Sequence, residues 1–434
     1  MRKIIFIATL VLAVCSACWC IYRDIQIEKQ YTGDLRNRIV GARLQIDGIP
    51  PYFYKWRKAD GLRYYDPQNF DTLKVSNITA TPTFHELLYP LAELPQRTIS
   101  KIWLLIEYIL FFIIAVLFVA VTKTNRQRAA VIITAFLFLY INAWKSHIAA
   151  GQIYLTFTFF FTLFYFFIRT KNNFLFAAPA GLCAAILFLI RPNTIFFLLP
   201  FLPFLTRSSF KYKMIFSVSV LVMIVVALSS IHERLYWQDF RFAMVEQLKS
   251  HQGLNPSVQR NEPDPVLTSW EGWDRRTVAK DAADFPYMYN QEHGNVFVLM
   301  NHLFPVKTPV WLLSAMSFLA ILILLFFFFY LKARTALYNL NTITLLAFLI
   351  YMITDLFSPI HRFLYYGVQW LFPLLIIASD FNKHYKWIYS GLAIGLLLNS
   401  LNIASIPMIQ SLGEYIIFFF VLIYMFNYKP QTSL

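Results

Sequence analysis

Apolar runs of roughly 17 to 25 residues recur from one end of this chain to the other, the length an α-helix needs to cross a bilayer. They begin near Ile4, Ile102, Ala129, Ile153, Phe174, Thr194, Met214, Pro309, Asn341, Phe363, Trp387 and Leu412. Backbone in lipid must satisfy its own amides, so runs of this kind are helical. With 58% of residues apolar and 14% charged, the chain has too little polar surface for a water-soluble core of this size. The expected fold is an all-α polytopic membrane protein with about twelve transmembrane helices, forming a single integral membrane domain over residues 1–434. Pro192, Pro200 and Pro203 predict that the sixth run is short, broken or tilted.

The net charge of +15 suggests nucleic acid until its placement is read. Arg2 and Lys3, Lys123 with Arg126 and Arg128, Arg169 with Lys171, Arg207 with Lys211 and Lys213, Lys332 with Arg334, Lys383 with Lys386, and Lys429 fall in loops on one side of a twelve-span arrangement. By the positive-inside rule that side is cytoplasmic, and no nucleic-acid partner is expected. Two long loops, about residues 23–100 and 232–308, then lie outside and contain most of the Asp and Glu. The first run has a basic start, with Cys15, Cys18 and Cys20 near its end. The residues before each cysteine fit a lipoprotein cleavage box poorly, so the run is read as an uncleaved first helix. Together with Cys183 these cysteines make neither a disulfide framework nor a zinc pattern. No metal or cofactor is expected.

Just beyond the first run lies Asp34, followed by Leu35, Ile39, Ala42 and Ile46 at intervals of four, three and four. That spacing predicts an amphipathic helix with one apolar face, lying in the membrane interface and stopped near Gly48 by Pro50 and Pro51. Asp is a good helix N-cap and also a competent general base. Spacing leaves both roles open.

The stretch from Asp34 through Ala42, Gly48, Pro51 and Tyr52 resembles the first outer-loop signature of family 87 glycosyltransferases, membrane enzymes of the GT-C class that use polyprenyl-phosphate sugars. Residues 81–95, with Pro90, Leu91, Ala92, Leu94 and Pro95, resemble that family's proline-bearing second element. Gly151 and Gln152 resemble its Gly-Gln pair. Gly181, Ala184, Ala185, Arg191 and Pro192 resemble its small-residue helix ending in a basic residue. Ser358 and Pro359 match its late Ser-Pro element. His85 and Glu86 stand where the family is more apolar, and His361 follows Ser-Pro more closely than the family's late histidine does. The resemblance implies a GT-C-like bundle, Asp34 as the catalytic base, and a polyprenyl-phosphate sugar donor with mannose as the first candidate and arabinofuranose the second. It also implies a glycan or glycolipid acceptor, an inverting displacement, and a bacterial cytoplasmic membrane with the active site on the periplasmic face.

Such a transfer needs cations for the departing phosphate. Arg191, His361, Arg362, Lys145 and His147 are expected at the outer ends of spans and are the donor-phosphate candidates. Arg191 interrupts two apolar runs, a position where a charge is costly unless paired or functional; snorkelling to the interface is its other explanation. Gln152, Trp273 and Asp274 are the candidates for the acceptor or sugar. The segment SWEGWDRR around Trp273 reads equally as an aromatic belt at the headgroups. Two other function classes fit many spans with outward basic residues: a transporter or lipid flippase, and a polymerase or ligase of lipid-linked polysaccharide. The first usually shows two related halves, which this sequence lacks; the second does not require Asp34 as a base.

Overall fold

The computed structural model describes residues 2–28, 33–52, 54, 60, 63–64, 78–170, 173–229, 231–251, 295–296, 299–300, 309–333, 339–358, 362–403 and 408–427. Among these residues there is no strand. The helices that build the site are α1 (Arg2–Glu28), α2 (Gly33–Ile46), α3 (Pro82–Leu87), α4 (Tyr89–Ala92), α5 (Gln96–Ala120), α6 (Asn125–Phe138), α7 (Asn142–Ala150), α8 (Tyr154–Arg169) and α9 (Ala177–Ile190). Later helices over Phe210–Ala227, Ile231–His251, Val310–Ala333, Leu340–Leu356, Leu371–Ser379, Lys386–Ser400 and Ile409–Asn427 complete the described set.

Local chemistry fixes many of the ends. Thr124 and Gln127 form a capping box at the start of α6, satisfying two amides that the first turn leaves open. Thr81 caps α3 and Pro82 occupies its first turn, where the missing amide costs nothing. After α9 the chain breaks into short pieces, Pro192–Thr194, Ile195–Leu198, Leu199–Phe201 and Leu202–Thr206, as its three prolines predict.

Among the described residues, five helices are long and apolar enough to cross a membrane, or six if α6 and α7, bent by 56° to one another, form one broken span, against the twelve apolar runs read from the sequence. Several other predicted runs form apolar helices of 10–17 residues, among them α8 and Leu340–Leu356. At a rise of 1.5 Å per residue, a 16-residue helix reaches only about 24 Å, short of a roughly 30 Å hydrocarbon core. Hydropathy measured the apolar runs without seeing where capping, glycine and proline interrupt the backbone ladder.

The α2 helix forms close to where its periodicity places it, and Gly48 beyond its end has φ +70°. Its surroundings differ from expectation. Leu35, Ile39 and Ala42 are fully buried, but Ile46 is exposed, and Val40 and Leu44, off the expected face, are buried too. Val40 and Leu44 pack with Tyr52, Ile78, Tyr236 and Ala243, while α3, α4 and α7 enclose the rest. The helix is thus packed by protein on more than one flank. Arg43 follows suit, donating from Nε to Ala92 O (2.7 Å), from Nη1 to Arg63 O (3.0 Å) and from Nη2 to Leu94 O (3.2 Å). A four-residue pattern captured one apolar stripe and missed the second.

Two glycines allow this close packing. Gly151 ends α7 in the left-handed region, φ +63°, and a Cβ there would sit 2.6 Å from Leu35 Cβ. A Cβ on Gly41 would sit 2.5 Å from the His85 ring. Gly151→Ala is therefore expected to lose about 1–2 kcal/mol from backbone conformation and about 1–3 kcal/mol more from overpacking against Leu35. Thermal unfolding of the purified protein in detergent checks this; an unchanged midpoint would contradict the packing described.

Candidate active site

Asp34 lies in the first turn of α2, largely covered by protein. Its carboxylate accepts hydrogen bonds from the Gln152 side-chain amide and from the Tyr365 hydroxyl. Burial raises its pKa above the ordinary carboxylate value, opposed first by the charge of Arg38 and then by these two donors. Arg38, one turn along the same helix, donates to Gln152 Oε1 at 2.5 Å and to Gly151 O at 3.1 Å. Close by, the fully buried His85 has its pKa pushed down to about 3, by burial first and Arg38 second. It is neutral at physiological pH.

Arg191 occupies the extended turn after α9, where Pro192 prevents the helix from continuing. It donates from Nη2 to Asp355 Oδ1 at 2.5 Å, with its side chain 16% exposed. Its guanidinium lies 5.1 Å from the ring centres of Tyr154 and Tyr366, and 5.6 Å from those of Phe157 and Tyr351. Its buried Nη1 has no hydrogen-bond partner among the described residues. A caged guanidinium with an open donor is equipped to take an anion.

Three tyrosines join the two halves. Tyr365, which holds Asp34, stacks on Tyr154 with centroids 5.6 Å apart. Tyr366 lies 4.3 Å from Tyr154 and faces Arg191. Asp34 and Arg191 therefore border one aromatic group formed by the start of α8 and the 3-10 segment Leu364–Trp370.

Arg362 is close to this group but is differently engaged. Its Nε donates to Asp355 Oδ2 at 2.8 Å, Nη2 donates to Glu414 Oε1 at 2.6 Å, and Nη1 donates to Glu414 Oε2. Trp370 Nε1 also donates to Glu414 Oε1, at 2.5 Å. Arg362 is thus held between two carboxylates, and Asp355 links it to Arg191. Lys145 and His147 have other partners: Lys145 donates to Asn142 Oδ1 at 3.1 Å, and His147 Nε2 lies 2.9 Å from Glu107 Oε2. Gln152 meets Asp34 directly. His361, Trp273 and Asp274 lie outside the described residues.

Sequence reading did not single out Arg38, Tyr154, Tyr365, Tyr366, Asp355 or Glu414. Only Arg38 had a local signal, its i+4 spacing from Asp34 on a predicted helix. The others come from distant positions that sequence spacing cannot relate.

An all-α fold with several span-length helices defines a membrane protein, and in it an acid and a caged cation border one aromatic group. A sequence model of glycosyltransferase family 87 matches residues 79–282, just under half of the chain. The resemblance to this GT-C type family is thereby established, and the coarse activity is that of a multi-pass membrane glycosyltransferase. The matched segment contains Gln152, Tyr154 and Arg191, whereas Asp34, Asp355 and Arg362 lie outside it. No curated protein and no solved structure matches the chain.

The buried ion pairs make a stability prediction. Glu414→Leu leaves Arg362 short of a carboxylate, and breaking such a pair from one side costs about 3–5 kcal/mol. The double change Glu414→Leu with Arg362→Met is expected to recover part of that loss. Denaturation of the three variants in matched detergent checks the order; equal stability of the single and double variants would contradict it.

Proposed function

We propose that this protein transfers a hexose, mannose in the first instance, from a polyprenyl-phosphate donor to a lipid-linked or cell-envelope glycan acceptor. The reaction takes place on the periplasmic face of a bacterial cytoplasmic membrane. The observation that carries this reading is the tyrosine group shared by Asp34 and Arg191, which puts a carboxylate and a caged cation beside one surface. The family resemblance supports a lipid-phosphate sugar as the donor class.

Asp34 removes the proton from an acceptor hydroxyl as its oxygen attacks the anomeric carbon. The bond from that carbon to the phosphate oxygen breaks in the same displacement, which inverts the anomeric configuration. Arg191 takes the charge that develops on the departing polyprenyl phosphate, using its open Nη1. The faces of Tyr154, Tyr365 and Tyr366 offer a stacking surface for the sugar between these two residues. Arg362 neutralises part of the charge on Asp355 and so keeps that acid from fully claiming Arg191.

Asp34→Asn tests the base, because Asn caps a helix about as well as Asp but cannot accept the proton. Membranes with matched protein levels are given radiolabelled polyprenyl-phosphate mannose; the variant is expected to lose about 10²–10⁴-fold in transfer. Equal transfer by both proteins would remove Asp34 from the chemistry, and no transfer by wild type would remove this donor.

The pH dependence has a defined sign. The folded protein raises the pKa of Asp34, so the stability contributed by its protonated form is present in acid and lost as pH rises through the raised value. Activity requires the ionised form and runs the opposite way. The acidic limb of kcat/KM is expected above the ordinary carboxylate pKa of about 4; a limb below it would contradict the burial of the working carboxylate.

A further inference from the structure

We propose that Gln152 is a positioning residue for Asp34, oriented by Arg38, and that it acts on the base rather than on the sugar. This rests on the reading of Asp34 as the base, and the experiments below separate the two. A guanidinium can only donate hydrogen bonds and an ionised carboxylate can only accept them, while a side-chain amide has one end of each kind. Arg38 Nη2 donates to Gln152 Oε1 at 2.5 Å, which turns the NH₂ end toward Asp34 Oδ2. The reverse orientation would set oxygen against carboxylate and NH₂ against guanidinium. Charge on both sides therefore selects one orientation of the amide.

The backbone of Gln152 has no freedom to swing this amide away. Its N–H donates to His147 O at 3.1 Å and its carbonyl accepts from Trp103 Nε1 at 3.3 Å. Arg38 Nη1 grips the preceding carbonyl, that of Gly151, at 3.1 Å. The residue is 1% exposed. All three contacts come from different elements, so the amide is fixed by α2, α5 and the end of α7 together.

The consequence for Asp34 is twofold. A fixed N–H on Oδ2 sets the rotation of the carboxylate, and it favours the ionised form in a site where burial favours the neutral one. The groups facing Asp34 are Arg38 from its own helix, Tyr365 from the 3-10 segment and Gln152 from the end of α7. From α3, His85 lies against Gly41 and feels Arg38. On α7, Lys145 and His147 are engaged by Asn142 and Glu107. Among the described residues, Gln152 and Tyr365 are the ones that hydrogen-bond the base from outside α2.

The test compares wild type with Gln152→Leu, Gln152→Glu and Arg38→Met. The first readout is the pH dependence of carbodiimide labelling at Asp34, which reacts through the protonated carboxyl and needs no sugar donor. The second is the pH profile of kcat/KM for transfer from polyprenyl-phosphate mannose. Gln152→Leu is expected to move the Asp34 midpoint and the acidic limb up by about one pH unit, with much of the activity recovered on the alkaline side. Gln152→Glu should move both further, since two carboxyls then face each other and one retains a proton. Arg38→Met should move them in the same direction.

Gln152→Glu is nearly isosteric and keeps the test open if Gln152→Leu does not fold. Unshifted labelling in a folded Gln152 variant would overturn the proposal, as would a raised KM with an unmoved acidic limb, which is the signature of a sugar contact. A shifted labelling midpoint together with an active Asp34→Asn would instead uphold the positioning role and overturn the base.

Discussion

A buried arginine and a largely buried one among apolar helices are tolerable only with carboxylates within hydrogen-bond reach, and the charge chain Arg191, Asp355, Arg362, Glu414 meets that constraint. Each acid touches what the neighbouring arginine leaves over, so two positive and two negative groups form one neutral set. Its geometry ties the turn after α9 to the end of the helix Leu340–Leu356, to the start of the segment Leu364–Trp370 and to the helix Ile409–Asn427. Desolvated pairs of this sort are costly to break from one side, so these four chain regions hold a common position. The aromatic group at the site inherits its place from them.

The other half of the site depends on packing. Helix α2 approaches α3 where Gly41 meets the His85 ring, and approaches the end of α7 where Leu35 meets Gly151. Neither contact leaves room for a Cβ. Asp34 is carried at the start of this helix, so its distance from Gln152 is set by how closely Leu35 sits on Gly151. The neutral state of His85 fits that role, because a charged imidazole in the same fully buried place would be strongly disfavoured.

The two halves meet at Tyr154, Tyr365 and Tyr366. One side presents an acid whose ionisation is favoured by Arg38, Tyr365 and Gln152; the other presents a guanidinium with one open donor. The proposed base and anion receptor need to be fixed relative to each other more than to anything else, since misplacement by about 1 Å can cost 10²-fold in rate. Rigid helices and a stacked aromatic group supply that fixity.

Composition and run length by themselves determined that this chain is an all-α membrane protein, because 58% apolar residues in span-length runs leave no other way to satisfy the backbone. Sequence also located α2 from its periodicity and the broken segment after Arg191 from its prolines. It did not determine how many runs become full spans, because helix ends answer to caps and glycines that hydropathy does not weigh. It misjudged the burial of α2, whose second apolar stripe of Val40 and Leu44 has partners only in three dimensions. The pairing of Arg362 with Glu414, 52 residues apart, and of Asp34 with Gln152, 118 apart, was decided by tertiary structure alone. Charge and hydrogen-bond complementarity act over ångströms in space, and a linear sequence records only distance along the chain.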